Sequence, residues 1–411
     1  MDAPVTERCD EPDGSLRNVR ALGLVSLLTD ASSEAIYPIL PLFLVNVLGA
    51  PVSVIGVIES LAEATSSLTR VFSGWLSDRV GRRRPLVLLG YSLSNLVKPA
   101  LALVPSWPSV LALRVADRLG KGIRTAPRDA LIADSCTAEQ RGAAFGLHRA
   151  LDTVGAAIGP LVAWLVLTLS PDGYRIIFLL SAIPGTAAIL VVLFAVRERG
   201  TARPVRAQAP PLKLRGLGRP FAIFSAVSAV FALGNSSDAM LVLRAQDLGT
   251  PVALVPLMYF VFNVVAAALA SGIGKHSDRV GRRRMIIGGF ALYAVVYAGF
   301  ALASHAWAPW LLFAAYGVPY ALTEGMTRAF VVDMVPDGMR ATAIGGYTFI
   351  LGLAALPSSA LAGVLWDTVS HRAPFVLSAA LMALAAVLMW ALRRTMKPRT
   401  TGAPAPEAAS A

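Results

Sequence analysis

The chain has 411 residues, of which 55% are hydrophobic and 15% are charged, and its formal net charge is +12. Soluble domains carry about 25% charged residues, so this composition excludes an ordinary soluble protein and points to helices in lipid. The positive charge lies in short bursts between apolar runs, as in cytoplasmic loops, which argues against a nucleic-acid-binding module.

Residues 1–19, with Cys9, are acidic and contain prolines. They lack the basic start and apolar core of a signal peptide and read as a cytoplasmic tail. About 20 apolar residues cross a bilayer as a helix. On that measure spans fall at 20–46, 53–77, 85–105, 107–133, 142–168 and 174–196, which make an N-terminal half of residues 20–196. A basic linker, 197–220, carries seven Lys/Arg and one Glu. Six more spans follow at 221–246, 252–273, 285–304, 307–333, 342–365 and 374–392, the C-terminal half of residues 221–392. Residues 393–411 read as a second cytoplasmic tail. The expected fold is all-α: a polytopic membrane protein with 12 transmembrane helices, arranged as two six-helix pseudo-repeats around a central cavity.

The span at 107–133 is unusual because it holds Arg114, Asp117, Arg118, Lys121, Arg124, Arg128 and Asp129. Parity keeps it in the membrane. Without it, the basic loop at 77–84 and the basic linker would face opposite sides. With it, the basic segments all lie inside, and the opposite connections hold only Arg175 and Arg372, as the positive-inside rule requires. Trp107, Tyr174, Trp307, Trp310 and Trp366 then fall at the outer ends, where an aromatic belt is expected. The two cysteines, Cys9 and Cys136, have no metal-ligand spacing.

The chain repeats itself. SDRVGRRR occurs at 77–84 and again at 277–284. LGAPV at 48–52 matches LGTPV at 248–252, and SSE at 32–34 matches SSD at 236–238. Asp134 and Arg141 are seven apart, as are Asp333 and Arg340. Gly74, Leu76, Asp78, Arg79, Gly81, Arg82 and Arg83 together resemble the signature loop G-x-L-x-D-R-x-G-R-R of the major facilitator superfamily. The second copy has His276 in place of Leu76. GAAIGP, with Gly155, Gly159 and Pro160, resembles that superfamily's fifth-span motif, associated with antiporters. The Gly-Gly usual after it is Ala163-Trp164 here. RVADRLGKG, residues 114–122, resembles its fourth-span motif, with Arg114 or Arg118 as the arginine.

The resemblance implies alternating access, with a latch at the cytoplasmic face formed by Asp78, Arg82 or Arg83, and Asp134. The second copy, with Asp278 and Asp333, would brace the other half. Positive loop charge alone accounts for Arg84 and Arg284. It does not account for Asp78, because an acid adds nothing to a positive-inside signal.

Ionisable residues in a bilayer cost about 2.5–3.5 kcal/mol each on insertion scales and default to pairing or function. The seven charges of the fourth span share an arc of roughly 140° on a helix. Glu59, Glu63, Ser66 and Arg70 share a face of the second span, as do Asp30, Ser33, Glu34 and Tyr37 on the first. His148 and Asp152 lie one turn apart on the fifth. His148, near the cytoplasmic end, reads as solvated. Gly155 and Gly159, four apart, let another helix approach. The C-terminal half is poorer and offers Asn235, Asp238, Asn263, Glu324 and Arg328. Glu59 and Glu63, then Asp30 and Glu34, are candidate proton carriers, since intramembrane acids cluster in proton relays. Arg114, Arg118 and Lys121 would hold an anionic group or act as counter-ions. A fixed salt-bridge network is the alternative for any one of these residues.

The leading expectation is a monomeric, proton-coupled exporter of a small organic molecule in the plasma membrane. It would need no cofactor beyond the proton gradient; its partners would be substrate, protons and lipid, without nucleic acid. A symporter or uniporter importing an anionic solute is the alternative, and a sensor keeps the same fold without transport. No H-E-x-x-H or G-x-S-x-G sequence supports an embedded enzyme, and no G-x-x-x-x-G-K-[ST] sequence supports nucleotide-driven transport.

Overall fold

In a computed structural model the chain is described over residues 12–137, 140–198, 216–335 and 339–396, without the side chains of 12–16, 78, 271, 274–279 and 341. The outer parts of both tails, Cys9 and most of the linker lie outside the described residues. So do the side chains of Asp78, Asp278 and His276.

Every described helix longer than one turn is α-helical. The first six spans are α1 (Pro12–Ile36) with α2 (Leu40–Asn46), α3 (Val52–Val80), α4 (Arg84–Ala100), α5 (Trp107–Asp134), α6 (Arg141–Leu169), and α7 (Tyr174–Leu180) with α8 (Ala182–Phe194). The second six are α9 (Gly218–Gly234) with α10 (Ala239–Asp247), α11 (Val255–Val280), α12 (Arg282–Leu302), α13 (Ala308–Met334), α14 (Arg340–Thr368) and α15 (Ala373–Ala391). The twelve expected spans are therefore present, most with ends within a few residues of the sequence reading.

Eight of these rods are long and apolar enough to cross a membrane by length and composition alone. The other four are α1 with α2, α3, α5 and α13. Each of the four carries ionisable side chains in its length, which lowers its hydropathy.

Prolines do not mark most of the breaks. Pro160, Pro319 and Pro357 sit inside continuous helices, because neighbouring helices and side chains re-satisfy the freed carbonyls. Pro38 lies in the turn between α1 and α2. The break in span 7 has no proline. Its sequence is Asn-Ser-Ser-Asp, short polar side chains that compete with the helix for backbone hydrogen bonds.

The chain forms two compact units. The first comprises Met1–Ala50, Thr65–Ala209 and Pro251–Phe260; the second comprises Pro51–Ala64, Pro210–Thr250 and Val261–Ala411. In the first, a core of Val19, Leu22, Tyr91, Ile132 and Val192 joins α1, α4, α5 and α8. In the second, Phe224 stacks on Tyr347 at 5.5 Å and meets the edge of Phe330 at 5.0 Å. The expected aromatic belt holds in part. Trp107 and Trp307 are exposed, but Trp366 is buried and stacks on His371 at 4.9 Å. Tyr174 is also buried, and its hydroxyl accepts from Asn46 at 3.2 Å.

Candidate functional site

Two close helix crossings build the site in the first unit. At Gly155 and Gly159, α6 meets the backbone of α1. A Cβ on Gly159 would lie 2.6 Å from the Ala35 nitrogen and 2.8 Å from the Ala31 oxygen. At Gly90 and Gly120, α4 meets α5, where a Cβ on either would come within 2.7 Å of the other's carbonyl. Small residues let backbones approach this far, so polar side chains beside the crossings are pressed together.

Beside the first crossing, the carboxyl groups of Asp30 of α1 and Asp152 of α6 lie against each other. Each lies three residues from the contact of Leu27 with Gly155. An ionised carboxylate only accepts, so two facing carboxyls would bond to each other only around a shared proton. Asp152 also accepts from Ser26 Oγ at 2.7 Å and from Arg149 at 3.0 Å. Glu34 and Lys121 lie in electrostatic range of Asp30.

Lys98 of α4, 4% exposed, extends the cluster. Its Nζ donates to Asn95 Oδ1 at 2.8 Å and to Ser32 Oγ at 3.3 Å, and it lies in the field of both Asp117 and Asp30. Ser32 in turn donates to the Ser181 carbonyl at 2.9 Å. The sequence reading overlooked Lys98. A single ammonium in an otherwise apolar span was the signal, by the same rule that singled out the acids.

Beside the second crossing, Asp117 accepts from Ser94 Oγ at 2.5 Å and faces Arg118, Lys98 and Arg114. Arg114 reaches it at 3.4 Å and lies 5.5 Å from the ring centre of Tyr37. Arg124, 5% exposed, stacks over Tyr91 at 4.4 Å. Two of its nitrogens, and Arg118 Nε, have no hydrogen-bond acceptor. Arg128 pairs with its neighbour Asp129 at 2.8 Å. His148 is buried, not solvated as expected, and its Nε2 has no partner. The reason is position: its face of α6 packs inward with Ala144 and Gly155.

The other candidates are placed differently. Glu59 is half-buried and Glu63 exposed. With Ser66 and Arg70 they face away from the exposed apolar stripe of Val57, Leu61, Leu68 and Phe72. Glu324 pairs with Arg328 one turn on, at 3.2 Å, both exposed. Lys121 is exposed on α5, and Pro160 is buried within α6.

At the basic end, Gly81 has φ +67° and Gly281 has φ +92°, the left-handed region that only glycine enters cheaply. A Cβ on Gly74 would lie 3.4 Å from the Cβ of Ala126 on α5. Arg83 pairs with Asp134, while Arg82 is exposed and Arg79 lies over Trp75 at 5.3 Å. In the second copy Arg282 binds both oxygens of Asp333 at 2.6 and 2.7 Å. The partners are 51 residues apart in both halves. Glu198, from the linker, accepts from the backbone nitrogens of Arg83 at 3.0 Å and Arg84 at 2.9 Å. It caps α4 with an anion, which the orphan N–H groups there require. Arg84 reaches the Leu193 carbonyl.

Among the described residues no group of three or more His, Cys, Asp or Glu is placed to hold a metal ion. The sequence profile of the Major Facilitator Superfamily matches residues 22–356 and 222–410. The chain belongs to the major facilitator superfamily. An uncharacterized MFS-type transporter of Methanocaldococcus jannaschii is 34% identical over 390 residues, covering 93% of this chain and 97% of that one. A multi-drug resistance efflux pump of Streptococcus pneumoniae is 26% identical over 288 residues, covering 66% and 69%. A mutant of the nucleoside transporter NupG shares the fold, with TM-score 0.78 at 13% identity over 91% of this chain and 99% of that one. The chain is thus a multi-pass membrane protein of a transporter superfamily.

Proposed function

We propose that this transporter is proton-coupled and exports a small organic molecule. The observation that carries the reading is the pair of facing carboxyls, Asp30 and Asp152, beside the crossing at Gly155. A proton held between two acids in a membrane span is a carrier whose release is coupled to any change in helix spacing. Lys98 lies in the field of both Asp30 and Asp117, so a proton leaving Asp30 exposes a negative charge within reach of its ammonium. The partial antiporter motif around Gly155 and the efflux pump among the relatives support the outward direction. The setting would be the plasma membrane, with both termini cytoplasmic, the chain monomeric and the proton gradient its energy source.

A second reading has its own support. Arg118 and Arg124 keep nitrogens without acceptors, which suits import of an anionic solute. One experiment separates the two. The protein is reconstituted in liposomes containing a pH-sensitive dye, and a panel of organic cations, zwitterions and anions is offered. Proton flux opposite to a cargo, lost in Asp30→Asn, supports the first reading. Flux that accompanies an anion and survives Asp30→Asn overturns it in favour of the second.

A further inference from the structure

The second unit holds an acid among tyrosines. Span 7 is interrupted there. Helix α9 ends at Gly234, α10 begins at Ala239, and residues 235–238 between them are not helical. Irregular backbone at membrane depth persists only where protein surrounds it or it lines a watery cavity. In transporters, discontinuous helices of this kind form binding sites.

The break presents Asp238. Tyr316 Oη donates to its Oδ1 at 2.7 Å, and Tyr293 and Tyr297 lie within electrostatic range of the same carboxylate. The Tyr316 ring packs against Phe262 at 5.1 Å and against Tyr293 at 5.4 Å. Phe262 meets the edge of Tyr320 at 5.3 Å. Asp238 and Tyr320 are partly exposed, with Phe262 and the other three tyrosines buried behind them. The unwound backbone is tied down on its other side, where Ser237 N donates to Ser359 Oγ at 2.9 Å.

A carboxylate and the negative faces of aromatic rings attract the same kind of ligand, a cation, while the ring edges accept its apolar body. An anion would be repelled by both. A helix junction needs neither an acid nor so many tyrosines, and the acid alone costs about 2.5–3.5 kcal/mol in a span. We propose that Asp238 and its aromatic shell form a subsite for an organic cation, an ammonium or other onium group on an aromatic or alkyl body. This deepens the exporter reading by naming a cargo class, and rests on it only for what happens after binding.

The test uses the full-length protein in detergent and radiolabelled tetraphenylphosphonium as probe. Wild type binds it saturably, and neutral triphenylphosphine oxide at the same concentration does not displace it. Asp238→Asn weakens binding roughly tenfold or more, the scale of a desolvated cation–π and charge contact, while Asp238→Glu stays close to wild type. If Asp238→Asn is not monodisperse, Tyr316→Ala and Tyr316→Phe replace it. Loss of the ring then weakens binding roughly tenfold, and loss of the hydroxyl alone far less. Absence of saturable binding, unchanged affinity in the Asp238 and Tyr316 variants, or equal displacement by the neutral oxide overturns the subsite. Binding that survives Asp30→Asn keeps this question separate from proton coupling, which the liposome assay reads independently.

Discussion

The two halves repeat one sequence plan and fill it with opposite chemistry. Ser32-Ser33-Glu34 lies in an unbroken helix, and Ser32 meets an ammonium, Lys98. Ser236-Ser237-Asp238 is unwound, and its acid meets a phenol, Tyr316. The fourth span contrasts in the same way. Trp107 and Trp307 align at an offset of 200, as do the SDRVGRRR copies. On that register Arg128 recurs as Arg328, Arg124 is replaced by Glu324, and the other five charges within residues 107–133 fall on Ala314, Gly317, Val318, Ala321 and Ala329. A fold that only needed to span the bilayer would shed charge from both halves. The first half keeps it, packed between glycine crossings, and on the exporter reading proposed above that is the half that would handle protons.

Four tests would break or sharpen this contrast, the largest effect first. Asp30→Asn abolishes cargo-driven proton flux in liposomes, whereas Glu324→Gln leaves it in place; equal loss in both would end the division of labour. Gly159→Ala forces a methyl into the backbone of α1 and destabilises by about 1–3 kcal/mol. Gly289→Ala meets mainly the Thr323 side chain, which can shift, so its melting temperature falls less. Arg83→Ala and Arg282→Ala each change stability by under about 1 kcal/mol, because partly exposed pairs contribute little. The first shifts cysteine labelling at the basic face and the second does not; identical labelling would sink the distinction between latch and brace. Glu198→Gln removes the anion at the start of α4 and costs about 0.3–1 kcal/mol, read as a small drop in melting temperature.

Parts of the site were legible in the chain. Asp30, Asp152, Arg114 and Gly155 stand out because charge and paired glycines are rare in spans. Their partnership was not legible, since Asp30 and Asp152 are 122 residues apart and only the crossing at Gly155 brings them together. Lys98 was visible and overlooked. Arg83 rather than Arg82 meets Asp134 because the turn at Gly81 and the start of α4 set which side chain points back.

Local chemistry by itself determined the twelve spans, the repeat and the basic side of the membrane, because hydropathy and loop charge act over one helix length at a time. The tertiary structure decided the rest: which acids face each other, which arginines lack acceptors, and where span 7 unwinds beside tyrosines from α12 and α13. Those outcomes depend on contacts between helices far apart in sequence, and no short-range pattern encodes them.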